Sequence, residues 1–532
     1  MTRSAKTSRT INGAQRQQTT VEAPAFRPVD PAVKKAWALA PALIVLFLIL
    51  VPPAHAHVGS PDVYAEGNAG PYKLSVVIRP PLVIPGVAEV DIRVQSAGAS
   101  TLSITPLALV GEASKHPPTP DIMKVATADP NYFTGQLWIM APGSWQIRIA
   151  VDGDHGHGVW SVPLPAVATG TRGMQHSLGI FLSILGIVLI IGMTGIVGAA
   201  SRDAQLAPDE TPTPKGRRSA AVSMTVAFAV LVGMAVLGNW WWKSEAASYS
   251  AEVYKPLGMD ATVTSGNLLD LKVKDSGWIL RRHVDDFIPD HNHLVHLYMI
   301  RWPQMDVVFH LHPQFIASGE FQLPLPSVPA GDYHLYADVV HASGFPETMV
   351  SAIVLPPTTG RPLSGDDAEG QGTPVSSAPS NTTSFLLPDR YTMVWNKPAT
   401  LIARQPIDFA FTLNDRSGHP AQDTQLYMGM LGHAAFIKDD GTVFAHIHPS
   451  GTVAMAALMM AESQNAPAPA TPAGSAPASD MSQMPGMIMS TDHLPSSVSF
   501  PYGFPTSGRY RIIVQMKHAA TIETGIFDAA VQ

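Results

Sequence analysis

Uncharged, strongly apolar residues run through 36–51, 173–201 and 219–242, whereas the rest of the chain alternates apolar and polar positions or is broken by proline and glycine. The second and third runs exceed the roughly 20 residues an α-helix needs to cross a bilayer. They predict two transmembrane helices, with Trp240-Trp241-Trp242 as an interfacial belt. The loop between them, 202–218, carries Arg202, Lys215, Arg217 and Arg218, which the positive-inside rule assigns to the cytoplasm. Residues 57–172 and 243–532 then both face outward. The first run follows a basic leader (Arg3, Lys6, Arg9, Arg16, Arg27, Lys34, Lys35) and closes on Ala54-His55-Ala56, the pattern of an export signal. The long leader also suits an uncleaved anchor, so 1–56 reads as a signal peptide or an N-terminal anchor.

The outer segments carry a period of two. In 57–172, Tyr72-Lys-Leu-Ser-Val-Val-Ile, Ala88-Glu-Val-Asp-Ile-Arg-Val and Ser144-Trp-Gln-Ile-Arg-Ile-Ala alternate between Pro/Gly turns, as in a small β-sandwich. Residues 243–357 and 385–532 are two copies of one further β-module, joined by a Gly/Pro/Ser/Thr/Asp linker at 358–384. Val307-Val-Phe-His310-Leu-His312-Pro313 returns as Val443-Phe-Ala-His446-Ile-His448-Pro449. His296 precedes the first pair by 14 residues and His433 the second by 13. A Gly-x-Tyr strand then leads from Gly331 to His341 and from Gly508 to His518, ten residues in each copy. The second copy is interrupted between His448 and Gly508 by a low-complexity insertion, about 451–495, containing Met481, Met484, Met487 and Met489. Met455, Met459 and Met460, beside a short Ala/Leu run, read as packing.

Composition narrows the chemistry. The 532 residues carry a net charge of -7 with only 14% charged, so no basic surface points to nucleic acid. There is no cysteine among them, which excludes disulfides, thiolate zinc sites, blue copper and iron–sulfur clusters. A metal here must be held by imidazole, carboxylate, amine or thioether. On a strand, residues i and i+2 share a face about 7 Å apart, so His310/His312 and His446/His448 each present two imidazoles side by side. His296 or His433 supplies a third ligand from a neighbouring strand, with His341 or His518 either a fourth ligand or an orienting group. Imidazole suits Cu, Zn, Ni and Fe alike. Secondary candidates are His291 and His293, in a cluster with His283, Asp285 and Asp286; the Met481–Met489 thioethers, soft ligands for Cu(I); and His57. If the signal is cut after Ala56, His57 pairs an α-amine with an imidazole, near Asp152, Asp154, His155 and His157. No nucleophile elbow, phosphate loop or HExxH occurs.

The second module, with Met430-Leu-Gly-His433, Phe444-Ala-His446-Ile-His448-Pro449 and Gly508-Arg-Tyr510, resembles the YtkA/FixH-like exported domains of bacteria. So does the first domain from His57-Val-Gly-Ser-Pro onward, which is also similar, more loosely, to CopC-like periplasmic copper-resistance proteins. The resemblance implies three immunoglobulin-like β-sandwich domains outside the membrane, in addition to the two-helix transmembrane hairpin and the N-terminal signal or anchor helix. It also implies copper handling, with His57 matching an N-terminal Cu(II) ligand. Asp152-Gly-Asp154-His155-Gly-His157 departs from the CopC-like Asp-Gly-His-Pro pattern. The expectation is an inner-membrane protein whose domains face the periplasm and bind, buffer or deliver Cu(I)/Cu(II), with zinc the other candidate, exchanging metal with another periplasmic protein. The alternatives are a copper- or iron-dependent redox enzyme, and an envelope scaffold without metal whose histidines are scattered.

Overall fold

The computed structural model describes residues 61–204, 206–207, 210–278, 282–375, 382–464 and 493–532. The expected signal or anchor, His57, and Met481, Met484, Met487 and Met489 lie outside them. All the described residues belong to one unit, His57–Gln532.

The fold is mainly β, in several sheets, with two long apolar helices. Helices His176–Asp203 and Pro214–Ala251 are both long and apolar enough to cross a membrane. Their apolar side chains, Ile180, Leu189 and Val236 among them, are exposed. The second helix continues nine residues past Trp242, beyond the span expected from hydropathy, because Ser, Ala and Tyr after the tryptophans do not break a helix.

In the first region, before the helices, strands Val63–Ala69, Tyr72–Arg79, Gly86–Val94, Asp129–Ile139 and Lys124–Ala126 form one antiparallel sheet. Strands Asp121–Ile122, Ala99–Ala108, Gly143–Gly153 and Gly156–Ala166 form another. The two share a core that includes Leu74, Val90, Ile104, Phe133 and Ile149. The first repeat departs from a pair of separate sheets. Its strands form one continuous sheet, joined through a parallel bridge at Gly258 and Val350, around a single core. That sheet also recruits Ala368–Gln371 from the expected linker, which pairs with Val307–Leu311. The second repeat has a four-stranded and a five-stranded sheet around Phe409, Phe411, Phe436 and Phe500.

The strands that carry the histidine motifs are apolar on both faces, and the packing explains why. In His296–Trp302 and Val307–Leu311, Leu297, Met299, Phe309 and Leu311 enter the repeat's own core. The opposite parity, Tyr298, Ile300 and Val308, joins Ala435, Ile437, Phe444 and Ile513 of the second repeat in a separate cluster. Likewise Phe436, Ile447, Ile512 and Val514 point into the second repeat's core. The two histidine-bearing sheets thus pack face to face, and a strand buried on both sides loses its polar alternation. Arg511, 1% exposed, spans this interface by donating to Met305 O and Thr373 O, both at 2.8 Å, and by pairing with Asp528. Phe444 stacks on Tyr336 at 4.4 Å and is 1% exposed. Phe444→Ala therefore costs about 3–5 kcal/mol, read as a lowered urea midpoint; a loss below about 1 kcal/mol would mean that this interface contributes little.

The first region closes on the same neighbourhood. Its edge strand bridges Ala65 to Gly451, with Glu66 N–H donating to Ser450 O and Thr452 N–H to Tyr64 O, both at 2.9 Å. Gly451 has φ +118°, and a Cβ there would sit 1.9 Å from Tyr64 O, so only glycine fits. The described start of the insertion is not structureless, since Met455–Ser463 forms a helix burying Ala456, Ala457, Leu458 and Ala461. Met455 and Met460 pack at its flanks, as read from the sequence.

Candidate metal centre

Strand register sets the histidines. Leu297 pairs with Leu311 and Tyr298 with His310, which brings His296 beside His312. In the second repeat Ala434 pairs with Ile447 and Ala435 with His446, which brings His433 beside His448. The i, i+2 rings lean together, to 4.7 Å between centroids in both His310/His312 and His446/His448. Because the two sheets face each other, the sets merge. His291, His293, His296, His310, His312, His433, His446 and His448 form one continuous ring network. These eight histidines converge rather than scatter.

Within this network two triplets tighten until one nitrogen of each ring lies within 4.8 Å of the others: His296/His310/His312 and His291/His433/His448. The first is the set expected from spacing. The second is a correction, because His291 from the first repeat takes the place expected of His446. His291 sits in the tight turn Asp290–His293, bridged end to end, with φ +50° at His291 and +71° at Asn292. The matching turn, Tyr427–Met430, has φ +48° at Met428 and +81° at Gly429. Thus the turn three residues before the leading histidine carries histidines in one copy and methionines in the other. His446 stands between the triplets, with centroids 5.5 Å from His296 and 5.6 Å from both His310 and His433.

The hydrogen bonds fix the tautomers. Nδ1 of His291 reaches Met428 O at 2.9 Å, and Nδ1 of His448 reaches Val453 O at 3.2 Å. Nδ1 of His312 meets Asp367 Oδ1 at 2.9 Å, and Nδ1 of His446 lies 3.2 Å from Asp338 Oδ2. Nδ1 of His310 donates to Gln515 Oε1 at 2.8 Å. All these partners are acceptors, so Nδ1 carries the proton and Nε2 is a bare lone pair. His296 is reversed: Nε2 donates to Asp290 O at 3.0 Å, leaving Nδ1 bare, 3.3 Å from the bare Nε2 of His310. Among the described residues, Nε2 of His291, His312, His446 and His448, and both nitrogens of His433, are buried with no hydrogen-bond partner. An unpaired buried polar atom costs roughly 1–3 kcal/mol, so leaving this many has a large energetic consequence. Burial, then neighbouring imidazoles, holds His296, His310, His433 and His448 well below the ordinary imidazole value, and burial lowers His291 and His312 as well. These rings are neutral at neutral pH, the form that binds metal.

The orienting partners are exchanged between repeats: Gln515 of the second holds His310 of the first, and Asp338 of the first holds His446 of the second. Asp338 and Gln515 occupy matching strand positions, opposite His296 and His433. Tyr427 Oη also contacts His310 Nδ1, at 3.2 Å, while donating to Asp366 O. His293 stacks on His312 at 3.8 Å and pairs with Asp366 at 3.1 Å. Asp290 Oδ1 accepts Ala456 N–H at 2.7 Å, tying the insertion helix to the cluster. Sequence reasoning named His293 but missed Gln515, Asp338, Tyr427, Asp366 and Asp367. The one signal was Gln515, a lone polar residue within Ile512–Met516, whereas Asp366 and Asp367 lay in what read as linker. A cavity of about 180 Å³ reaches His296, His446 and His448 from Pro61, Asp62 and Pro80 of the first region.

Other predicted ligands lie apart. His341 pairs through Nδ1 with Asp286 at 2.6 Å and through Nε2 with Glu347 at 3.0 Å, so both nitrogens are taken. His518 sits among Asp389, Asp423 and Glu523. Neither completes a histidine triplet as a fourth ligand, because each ends its strand beyond the triplets. Asp152 and His157 pair at 2.8 Å on an exposed hairpin with Asp154 and His155, and His283 is exposed.

Residues 385–532 match the model of a family described as a domain of unknown function, DUF8832. That match covers the second repeat with its insertion. No curated protein matches the chain. Among solved structures, a tetra-tandem repeat in the extending region of a large adhesion protein is 10% identical, covering 84% of this chain and 71% of its own, with a TM-score of 0.15. Dimeric latent PorU from Porphyromonas gingivalis is 9% identical, covering 84% of this chain and 32% of its own, with a TM-score of 0.14. E. coli alpha-2-macroglobulin in its native conformation is 10% identical, covering 88% and 25%, with a TM-score of 0.14.

Proposed function

We propose that this chain is a membrane-anchored protein whose outer domains face the periplasm, and that it binds copper at the histidine cluster between its two repeats, to buffer or deliver it. The observation that carries this reading is the set of buried ring nitrogens without a partner that converge from both repeats, beside His296 Nδ1 and His310 Nε2, which face each other at 3.3 Å. Two lone pairs at that distance repel, and a cation between them turns the repulsion into two bonds. Each triplet offers three neutral nitrogens to one ion, and the protonated nitrogens are held by carbonyl, carboxamide or carboxylate oxygens, the usual outer support of metal-bound imidazole. An all-nitrogen donor set suits copper, with zinc the other occupant. The cavity lined by His296, His446 and His448 adjoins the cluster.

The anchoring helices and the Arg202, Lys215, Arg217 and Arg218 loop support an inner-membrane location with that loop in the cytoplasm. Immunoglobulin-like character of the repeats is supported by Tyr333 donating to Pro329 O at 2.9 Å and Tyr510 to Thr506 O at 2.8 Å, the same corner in both. The thioethers at Met481–Met489 remain candidates for Cu(I) capture.

Full-length protein, purified in detergent, stripped and reloaded, is expected to retain about two copper ions per chain and to lose both in the His310→Gln/His448→Gln variant. A folded wild-type chain that retains no copper overturns the proposal. A copper-dependent redox reaction is the second reading, favoured by the cavity lined by His296, His446 and His448; oxygen uptake by the copper-loaded protein with a reductant distinguishes it from storage.

A further inference from the structure

The two repeats end their Gly-x-Tyr strands in matching corners that differ in one respect. In the first, His341 Nδ1 meets Asp286 and Nε2 meets Glu347. Glu347 is further held by the Arg282 guanidinium, by Tyr254 Oη at 2.8 Å and by Leu257 N–H at 2.7 Å. Burial opposes charge on His341, but the two carboxylates outweigh it and raise its pKa. This corner is a closed internal ion network.

In the second, Asp423 plays the part of Asp286. Its Oδ2 lies 3.2 Å from His518 Nδ1 and accepts Tyr391 Oη at 3.2 Å, and the Tyr391 ring stacks on the imidazole at 3.9 Å. That gives Nδ1 its orienting partner and turns Nε2 to the opposite side. His518 is 4% exposed, and its Nε2 is buried without a hydrogen-bond partner. It faces Asp389 Oδ2 at 3.3 Å and Glu523 Oε1 at 3.6 Å. One ligand atom from each of these three residues lies within 4.8 Å of the others. Where the first repeat sets Arg282 against its buried glutamate, the second sets another carboxylate, Asp389. The basic side chain beside Asp389 is Arg416, which is 67% exposed, 4.0 Å from Oδ2, and donates through Nε to the Asp389 carbonyl. Burial, and then the facing Asp389 carboxylate, pushes the Glu523 carboxyl above its ordinary value, with His518 acting in the other direction.

We propose that Asp389, His518 and Glu523 form a second metal site, separate from the histidine cluster, for a hard or borderline divalent cation such as Mn2+ or Zn2+. Two carboxylates balance the charge of a +2 ion and the imidazole adds a nitrogen ligand, oxygen-rich sets favour such cations over Cu(I), and Asp423 orients the imidazole from outside. The ion would do in the second repeat what Arg282 does in the first.

The test is titration of chelator-stripped full-length protein with Mn2+, reading the loss of the free-ion EPR signal, with Zn2+ in competition. About one Mn2+ per chain is expected, unchanged in His310→Gln/His448→Gln. Asp389→Asn and Glu523→Gln are each expected to weaken binding by at least about tenfold while copper loading at the histidine cluster persists. Asp389 lies partly exposed at the rim, so Asp389→Asn decides the matter if Glu523→Gln does not fold. The proposal fails if wild-type protein binds neither Mn2+ nor Zn2+ at micromolar concentration, or if folded Asp389→Asn binds them as wild type does. The site does not rest on the copper reading: a chain that binds Mn2+ here but no copper elsewhere would overturn that reading alone.

Discussion

Exchanging His291 for asparagine is expected to empty one of the two histidine triplets, taking copper from about two ions per chain to about one. His291 comes from the first repeat, yet its Nε2 converges with His433 and His448 of the second. Its Nδ1 is anchored on Met428 O at 2.9 Å, so the ring cannot swing away without losing that bond. Removing one of three ligands should cost at least the 10–100-fold that follows from losing an outer-shell partner. Asparagine is the substitution of choice because φ is +50° at this position, a backbone region that asparagine tolerates better than most residues. The His296/His310/His312 triplet belongs wholly to the first repeat and should keep its ion. Competition with a chromophoric Cu(I) chelator reads both sites. Unchanged stoichiometry and affinity would show that His291 is not a ligand and that the second repeat binds metal through its own residues, if at all.

Acidification of the metal-free protein is the second large effect. His296, His310, His433 and His448 are fully buried, and burial, reinforced by the neighbouring imidazoles, holds their pKa values well below 6.5. As pH falls through 6.5, the unfolded chain takes up these protons first. Their contribution to stability is therefore complete above about pH 6.5 and is lost as pH falls towards the folded-state values. Each such group changes stability by about 1.4 kcal/mol per pH unit in that window, and four together by roughly 5–6 kcal/mol per unit. Against a total of about 5–15 kcal/mol for a typical domain, the packing of the two repeats should weaken steeply as pH falls below 6.5. His341 works in the opposite direction, since its pKa is raised, but it is one group against four. Urea midpoints of the metal-free protein at pH 7.5, 6.5 and 5.5 give the slope. Midpoints that stay level across this range would mean the imidazoles are not buried as neutral groups.

The pattern of the chain announced much of this. The two long helices, the strand from Gly331 to His341 and its repeat from Gly508 to His518, and the pairing of His310 with His312 all follow from local periodicity. Other features were hidden. Asp366 and Asp367 sit in a polar stretch that reads as linker, and they orient His293 and His312 only because Ala368–Gln371 adds to the sheet. His341 and His518 occupy the same strand position, and what separates an ion network from a candidate cation site is Arg282 in one corner and Asp389 in the other. Neither is near its histidine in sequence.

The sequence alone determined which residues share a strand face, that the histidine module occurs twice, and that any metal is held without thiolate. These are properties of spacing and composition, and a period of two is a local matter. Which face meets which was decided only by tertiary structure. Tyr298, Ile300, Ile437, Phe444 and Ile513 exclude water between the two sheets, and that burial carries His291 across to His433 and His448, leaves His446 between the triplets, and exchanges Gln515 and Asp338 as supports. These contacts join residues more than a hundred positions apart. Their geometry follows from how two double-faced sheets fit together, which no local pattern encodes.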